Sequence, residues 1–378
     1  MNSNASTTVV VGMSGGVDSS VAALLLRQAG YRVIGLFMKN WEEKDEQGVC
    51  TSAAEYADVV RVCEKLDIPY YAVEFVQEYW DNVFTQFVAE YKAGYTPNPD
   101  VLCNREIKFN VFLKKAIELK ADYLATGHYC QKGSGLGGDV LLKGADGGKD
   151  QSYFVYTLNK DILSKVMFPI GHMQKPQLRE LARQHGLPTH DKKDSTGICF
   201  IGERDFKKFL GQYVALNEGD FRNLDGRKVG RHTGAAYYTL GQRRGLGLGG
   251  EGDRWFVVGK DIATNTVFVE RGELHPALYC DYLTATEPSW VSGQAPGPLP
   301  FRCKAKVRYR QPDQECTITG IDAGVVRVEF SRPQRAVTPR QSVVFYEGEV
   351  CLGGALIADA GPSYHAMNKP IPPEEPNS

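Results

Sequence analysis

Apolar residues in the first third of the chain fall into short runs separated by stretches with helical spacing. The runs in "TTVVVGM", "YRVIGLFM", "YYAVEF" and "ADYLATGHY" predict strands. Between them, Val21, Leu24 and Leu25 in "SSVAALLLRQAG" recur at three and four residues, as do Tyr56, Val59, Val60 and Cys63 in "TSAAEYADVVRVCEKL". The same spacing in "IKFNVFLKKAIEL" puts Phe109, Phe112, Leu113 and Ala116 on one helical face. Strands alternating with helices predict an α/β domain with a doubly wound parallel sheet, whose ligands gather beyond the carboxyl ends of the strands. "GMSGG" and "TGHY" stand at two such ends.

The pattern is mostly helical from about residue 160 to 213 and changes after Asn217. Glycine-rich turns then separate short alternating runs such as "TVFVE", "RCKAKVRYR" and "GVVRVEF", which predict β modules. The expected organisation is an α/β domain over 1–215, a small β-rich central domain over 216–282 and a C-terminal β-barrel-like domain over 283–366. A proline-rich, acidic tail over 367–378 is expected to be disordered.

Composition narrows the class without naming a function. At 378 residues, two or three domains are expected, and 42% apolar with 24% charged residues is ordinary for a globular chain. No apolar run approaches the ~18 residues a membrane helix needs. The opening "MNSNASTT" lacks the basic-then-apolar layout of a signal peptide, so a cytoplasmic protein is expected. Nine cysteines, without a C-x-x-C pair, argue against a disulfide framework and a structural zinc site. With a net charge of -1, nucleic acid would have to be met by local basic patches. One candidate is the strand around "FRCKAKVRYRQ", where Arg302, Lys304, Lys306, Arg308 and Arg310 alternate with Cys303, Ala305, Val307 and Tyr309. Alternation predicts a row of cations about 6.6 Å apart on one face.

The sharpest local signal is "VVVGMSGGVDSSVAALLL". A glycine turn between strand and helix lets backbone N–H groups and the positive end of the helix dipole meet an anion, and Ser14, Gly15, Gly16, Val17, Asp18 and Ser19 fit that geometry. The lysine of a Walker-type loop is missing. The stretch resembles the S-G-G-x-D-S signature of the PP-loop ATP pyrophosphatases. That resemblance implies ATP held along Gly12, Met13 and Ser14 to Ser19, with attack at the α phosphorus and transfer of AMP. It further implies that Asp18 helps to hold Mg2+ with the phosphates, that Met38 contacts adenine and that Gly127 contacts the nucleotide. Read without the family, Met38 and Gly127 are equally well packing residues.

The cysteines divide by their surroundings. Cys63 and Cys303 lie on apolar faces and read as core. Cys103, in "TPNPDVLCNREIKFNVFL", sits at the start of an amphipathic helix near Arg105 and Lys108, which predicts an activated thiol. Asp100 is the expected helix cap and is close enough to act as acid or base. Cys199, in "KKDSTGICFIGERDF", follows small polar residues and reads as an accessible loop thiol.

Taken together, "MSGGVDSSVAALLL", "TPNPDVLCNREIKF", "ATGHY", "KDQSYFVYTL", "DSTGICFIGERDFKKFL", "YTLGQRRGLGLGG" and "VRYRQ" resemble the tRNA-specific 2-thiouridylases in family order. Only the termini and the insert "KGSGLGGD" fall outside the likeness. The resemblance implies ATP-dependent 2-thiolation of the wobble uridine of tRNA, by adenylation of O2 and delivery of persulfide sulfur. Cys199 would carry the persulfide, Cys103 would be its partner thiol and Asp100 the general acid/base. Whether the persulfide attacks directly or Cys103 first releases hydrosulfide stays open. Asn98, Pro99 and Asp100 would line the target base, while Lys149, Asp150, Gln151, Arg308, Tyr309 and Arg310 would touch tRNA. The implied partners are lysine, glutamate and glutamine tRNAs and a sulfur-relay protein or cysteine desulfurase. Two rivals share the loop: a PP-loop synthetase acting on a small molecule, and a non-catalytic ATP-gated RNA-binding module.

Overall fold

The computed structural model describes residues 4–41, 51–135, 137–194 and 206–372. Its first sheet is parallel, in the order β3-β2-β1-β4-β7, built from β1 (Thr8–Met13), β2 (Arg32–Lys39), β3 (Tyr70–Glu74), β4 (Tyr123–Ala125) and β7 (Val166–Met167). Helices α1 (Val17–Gln28) and α2 (Thr51–Leu66) follow β1 and β2, and α3 is Thr85–Lys92. The next helix, α4, is α-helical over Pro99–Leu102, π-helical over Cys103–Val111 and α-helical again over Phe112–Glu118. Helix α5 spans Lys175–Gln184. Valines 9, 10 and 11 are each fully buried, which requires both faces of β1 to be covered. Val9, Val11 and Met13 join one core with α1 and α2, whereas Val10 joins another with Phe112 of α4. The strand order runs outward from β1 in both directions, so a crevice opens beyond the carboxyl ends of β1 and β4.

A second sheet has the order β10-β11-β8-β9, from β8 (Gly219–Arg222), β9 (Lys228–His232), β10 (Trp255–Asp261) and β11 (Thr266–Arg271). The third contains β12 (Tyr279–Trp290), β13 (Phe301–Lys306), β14 (Gln314–Asp322), β15 (Val325–Arg335), β16 (Ser342–Glu347) and β17 (Val350–Asp359). Pairing of β12 with β17 closes these six strands into a barrel. The glycine-rich insert supplies the facing ends of two antiparallel strands, β5 (Cys130–Gly135) and β6 (Gly138–Lys143). Its β6 pairs with β17 through Val350↔Leu142 and Cys351↔Leu141, so the barrel's sheet is extended by a piece of the first domain. Among the described residues no helix is long and apolar enough to cross a membrane.

Cys63 and Cys303 occupy the core positions that periodicity assigns them. Cys63 is fully buried and burial pushes its thiol up to about 12. Cys303 lies opposite Cys316 in the β13–β14 ladder, with the sulfurs 3.6 Å apart.

Candidate active site

The turn after β1 is organised by its own hydroxyls. The Ser14 N–H donates to Ser19 Oγ at 3.2 Å, the two serine oxygens are 3.2 Å apart, and Ser20 Oγ donates to the Gly16 carbonyl at 2.8 Å. Gly15 has φ +72°, and a Cβ there would stand 2.6 Å from the Glu55 carbonyl oxygen of α2. Gly16 caps α1 without a side-chain hydrogen bond, so the first amides of this twelve-residue helix remain available to an anion. Gly127, just past β4, forms the opposite wall. A Cβ on it would come within 2.8 Å of the Ser19 nitrogen. Met13 and Val17 point into the core, leaving only their backbone to a ligand. Met38, one residue before the end of β2, lies opposite Val73, and two residues on Asn40 Oδ1 is buried with no hydrogen-bond partner among the described residues. A glycine-walled cradle at a helix N-terminus beside an orphaned acceptor fits a nucleoside triphosphate. No group of three or more His, Cys, Asp or Glu among the described residues could hold a metal by itself.

Asp18 is the centre of a charge cluster that sequence reasoning missed apart from Asp18 and Lys149. The Tyr129 hydroxyl donates to it at 2.9 Å, and Lys175 Nζ reaches both oxygens at 2.7 and 2.9 Å. Lys175, only 8% exposed, also pairs with Asp194 at 2.8 Å, and Asp194 is held in turn by Lys149 at 2.7 Å and Arg179 at 2.6 Å. Burial works to raise the Asp194 carboxyl, but hydrogen bonds from Lys149 and Lys175 outweigh it and hold the group well below its usual range. Burial and then the Asp18 charge push the Tyr129 phenol up. Lys192 Nζ donates to the Gly15 carbonyl at 3.1 Å and to Asp58 at 2.6 Å. The available signal was the density of basic and acidic residues in "HDKKD", five residues before Cys199. Cys199 itself lies outside the described residues.

Helix α4 carries the other candidates. Its cap is Asn98, not Asp100: Asn98 is extended and its Oδ1 accepts the Asp100 N–H at 3.2 Å, with Pro99 in the first turn. That frees the Asp100 carboxyl, which burial pushes up against the opposing charge of Lys108. Asp100 and Cys103, three residues apart, share a helical face. Cys103 is 2% exposed, in the apolar cluster with Val101, Ile107 and Phe109, so it is not at an open helix end. Arg105, expected to activate it, is engaged by Glu106 at 2.6 Å and Glu287 at 3.7 Å. His128, next to Gly127, was not singled out by sequence. It is buried between the Phe109 and Phe168 rings, with Nδ1 2.8 Å from Thr126 Oγ1. Burial, then the Lys108 charge, hold it neutral, well below its usual range. The Lys108 charge thus acts on both His128 and Asp100.

The approach to α4 is held by all three domains. Thr96 Oγ1 is 3.2 Å from Thr239 Oγ1 of the central domain, and its carbonyl accepts from Gln341 of the barrel at 2.5 Å. Arg340 Nε donates to Glu90 of α3 at 2.8 Å, and its Nη1 lies 3.8 Å from Glu287, which also faces Arg105. Asn98, Val101, Arg105, Glu287 and Arg340 surround a cavity of about 30 Å³.

Several expected RNA contacts face inward. Asp150 is 4% exposed, and its carboxylate accepts from the Gly144 and Ser152 amides at 3.0 and 3.1 Å as an internal tie. Gln151 Oε1 accepts the Tyr129 N–H at 3.0 Å. The row of strand cations is corrected. Strand β13 ends at Lys306, which is 9% exposed and pairs with Asp150 at 3.4 Å and Asp313 at 3.7 Å. Gln311 Oε1 takes the Val307 N–H at 3.0 Å and the chain turns. Beyond the turn, Arg308 donates to the Leu240 and Ala336 carbonyls, both at 2.9 Å, and Tyr309 packs 4.4 Å from the Phe154 ring. Arg302, Lys304 and Arg310 stay exposed, with Lys304 paired to Glu315 at 3.1 Å.

Comparison with known proteins covers nearly the whole chain. Residues 7–203 match the family model described as the tRNA methyl transferase HUP domain, 207–271 the tRNA methyl transferase PRC-barrel domain and 280–357 the aminomethyltransferase beta-barrel domain. A tRNA-specific 2-thiouridylase MnmA of Protochlamydia amoebophila is 62% identical over 376 residues, 98% of each chain. The protein of the same name from Staphylococcus carnosus is 57% identical over 94% of this chain and 96% of its own length. Among solved structures, a 4-thiouridine synthetase–RNA complex with bound ATP aligns at a TM-score of 0.33 and 14% identity, covering 55% of this chain and 50% of that one. The NMN synthetase of Francisella tularensis aligns at 0.30 and 17% identity, covering 50% and 66%.

Proposed function

The chain belongs to the tRNA-specific 2-thiouridylases, and from that premise we propose how its residues divide the work. It is a tRNA sulfurtransferase that forms 2-thiouridine with the use of ATP; neither a small-molecule synthetase nor a non-catalytic binding module is favoured by relatives of this identity. In the proposed reading, segment 1–215 activates the base, while 216–282 and 283–366 meet the tRNA.

The observation that supports the proposal is the cradle between Gly15 and Gly127, whose neighbour His128 packs on Phe109 of α4, the helix that also carries Asp100 and Cys103. A pyrimidine carbonyl oxygen leaves poorly, and ATP supplies the adenylyl group that makes uridine O2 part of a phosphoester. The α1 amides hold the departing diphosphate, and Asp18 would hold Mg2+ with it. Asn98 to Asp100 line the target base, here the wobble uridine. Asp100, its carboxyl raised by burial, is the group placed to exchange a proton with the base. Cys199 carries a persulfide whose terminal sulfur bonds to C2 as O2 departs with AMP. The Cys103 thiolate then attacks the Cys199 sulfur, leaving the thiocarbonyl on the base and a Cys103–Cys199 disulfide for an external dithiol to reduce. If Cys103 first releases hydrosulfide, the same disulfide results. A cytoplasmic sulfur-relay protein or cysteine desulfurase would reload Cys199, and the acceptors would be lysine, glutamate and glutamine tRNAs.

Nucleoside mass analysis after incubation with ATP, tRNA and a persulfide donor tests this reading. Wild type should yield 2-thiouridine, AMP and pyrophosphate, whereas Cys103→Ser and Cys199→Ser should bind ATP normally and yield no 2-thiouridine. Normal product from either variant, or ADP and orthophosphate in place of AMP, would overturn it.

A further inference from the structure

The charges around the cradle are unevenly shared. Among the described residues, Asp194 is held by three cations, Lys149 at 2.7 Å, Arg179 at 2.6 Å and Lys175 at 2.8 Å, whereas Asp18 is held by one, which is Lys175 again. A single ammonium is thus divided between two carboxylates. Its withdrawal would leave Asp194 with two partners and Asp18 with the Tyr129 hydroxyl alone.

Lys175 stands at the cradle itself. A Cβ on Gly127 would come within 3.1 Å of the Asp18 Cβ, so Asp18, in the first turn of α1, lies against the Gly127 wall. Lys175 Nζ is 2.7 and 2.9 Å from its two oxygens, and the lysine side chain is only 10% exposed. An ammonium so placed borders the anion site formed by the α1 amides. It also covers both oxygens of the carboxylate assigned to Mg2+.

The backbone of the residue is fixed. Lys175 opens α5, its N–H donates to Asp146 Oδ2 at 2.9 Å, and a capping box between Gln174 and Gln177 closes the first turn. The Tyr129 ring lies 5.6 Å from the ammonium. Only the flexible four-carbon stem is free to turn, and turning it moves the charge without disturbing helix or cradle. Two cations on one carboxylate repel each other, so metal and ammonium compete for Asp18.

We propose that Lys175 is a transferable counter-ion for the nucleotide. Its ammonium neutralises Asp18 until ATP and Mg2+ bind, then passes to the departing diphosphate and leaves Asp18 to the metal. The charge withdrawn from Asp18 is the one the metal restores, and Asp194 stays neutralised by Lys149 and Arg179 throughout. Lys175 thereby brings to the diphosphate, from 157 residues away, the positive charge that a Walker-type loop carries on its own lysine. The inference rests on the reading of the cradle as an ATP site.

The test is equilibrium binding of ATP and of AMP by the full chain over a series of Mg2+ concentrations, comparing wild type with Lys175→Met. The variant should bind ATP about tenfold more weakly at saturating Mg2+ and bind AMP as wild type does, because a charge-assisted contact is lost at the terminal phosphates alone. The Mg2+ concentration that half-saturates ATP binding should fall severalfold, since the metal no longer competes with an ammonium for Asp18. Lys175→Gln, whose amide still donates to a carboxylate, should show the same pattern and serves if methionine is not tolerated at so buried a position. A variant that folds as wild type and keeps both its ATP affinity and its Mg2+ requirement would overturn the proposal. So would equal losses for ATP and AMP, which would make Lys175 a support of the cradle only. If wild type itself failed to prefer ATP over AMP in Mg2+, the reading of the cradle would fail rather than the role of Lys175.

Discussion

The Arg340–Glu90 pair joins residues 250 positions apart and ties the barrel to the helix that precedes the target-base loop. The two side chains are 23% and 11% exposed, and Gln86 adds a hydrogen bond to Glu90 at 2.9 Å. Removing only the cation, as in Arg340→Met, would leave a carboxylate nearly buried and unopposed. For such a site the cost is about 3 kcal/mol, the low end for a buried pair because Arg340 retains some contact with water. In a domain of this size that corresponds to a loss of roughly 6–12 °C in Tm. Replacing both partners, Glu90→Leu with Arg340→Met, removes the stranded charge and should restore Tm to near wild type. Thiolation should behave differently. If the tie positions the loop before Asn98–Asp100, the double variant stays stable yet turns over more slowly, and a displacement near 1 Å costs up to about 100-fold in kcat. KM for ATP should stay near wild type, since the cradle between Gly15 and Gly127 is untouched. Thermal unfolding alongside single-turnover thiolation separates the two effects. A double variant with recovered Tm and wild-type kcat would show that the pair only stabilises. A single variant with unchanged Tm would refute the burial argument itself.

Two further outcomes follow from the site. Gly127→Ala should lose ATP binding, because the added methyl would stand 2.8 Å from the Ser19 nitrogen; equilibrium dialysis with labelled ATP reads this, and wild-type affinity would show that α1 can retreat. Asp100 has a carboxyl raised in the folded state, so it contributes stability below its unfolded pKa of about 3.9 that is lost as pH rises through the folded value. Asp100→Asn should therefore be more stable than wild type at pH 7, lose that advantage below about pH 4, and be inactive; a variant less stable at pH 7 would contradict the assignment.

Local chemistry was legible in the one-dimensional pattern wherever neighbours in sequence are also neighbours in space. The strand–turn–helix around Ser14 to Ser19 is one example, because hydroxyl bonds between residues five apart or fewer build the turn. The buried thiols Cys63 and Cys303 are another, each placed by the period of its own element. The order of α/β, central β and barrel segments belongs with them, since each follows from its own apolar spacing. Misreadings began where a partner lay far along the chain. Alternation could not foresee that Lys306 would be drawn inward by Asp150, 156 residues away, or that Arg308 would be captured by the Leu240 and Ala336 carbonyls. Nor could it place Lys175 on Asp18, 157 residues before it, or attach the glycine-rich strand pair to β17. Periodicity reports which face of an element is apolar, a property of consecutive residues. Whether a charged side chain faces solvent, a phosphate or a buried carboxylate depends on which distant segment packs against it, and that is decided only when the three domains close on one another.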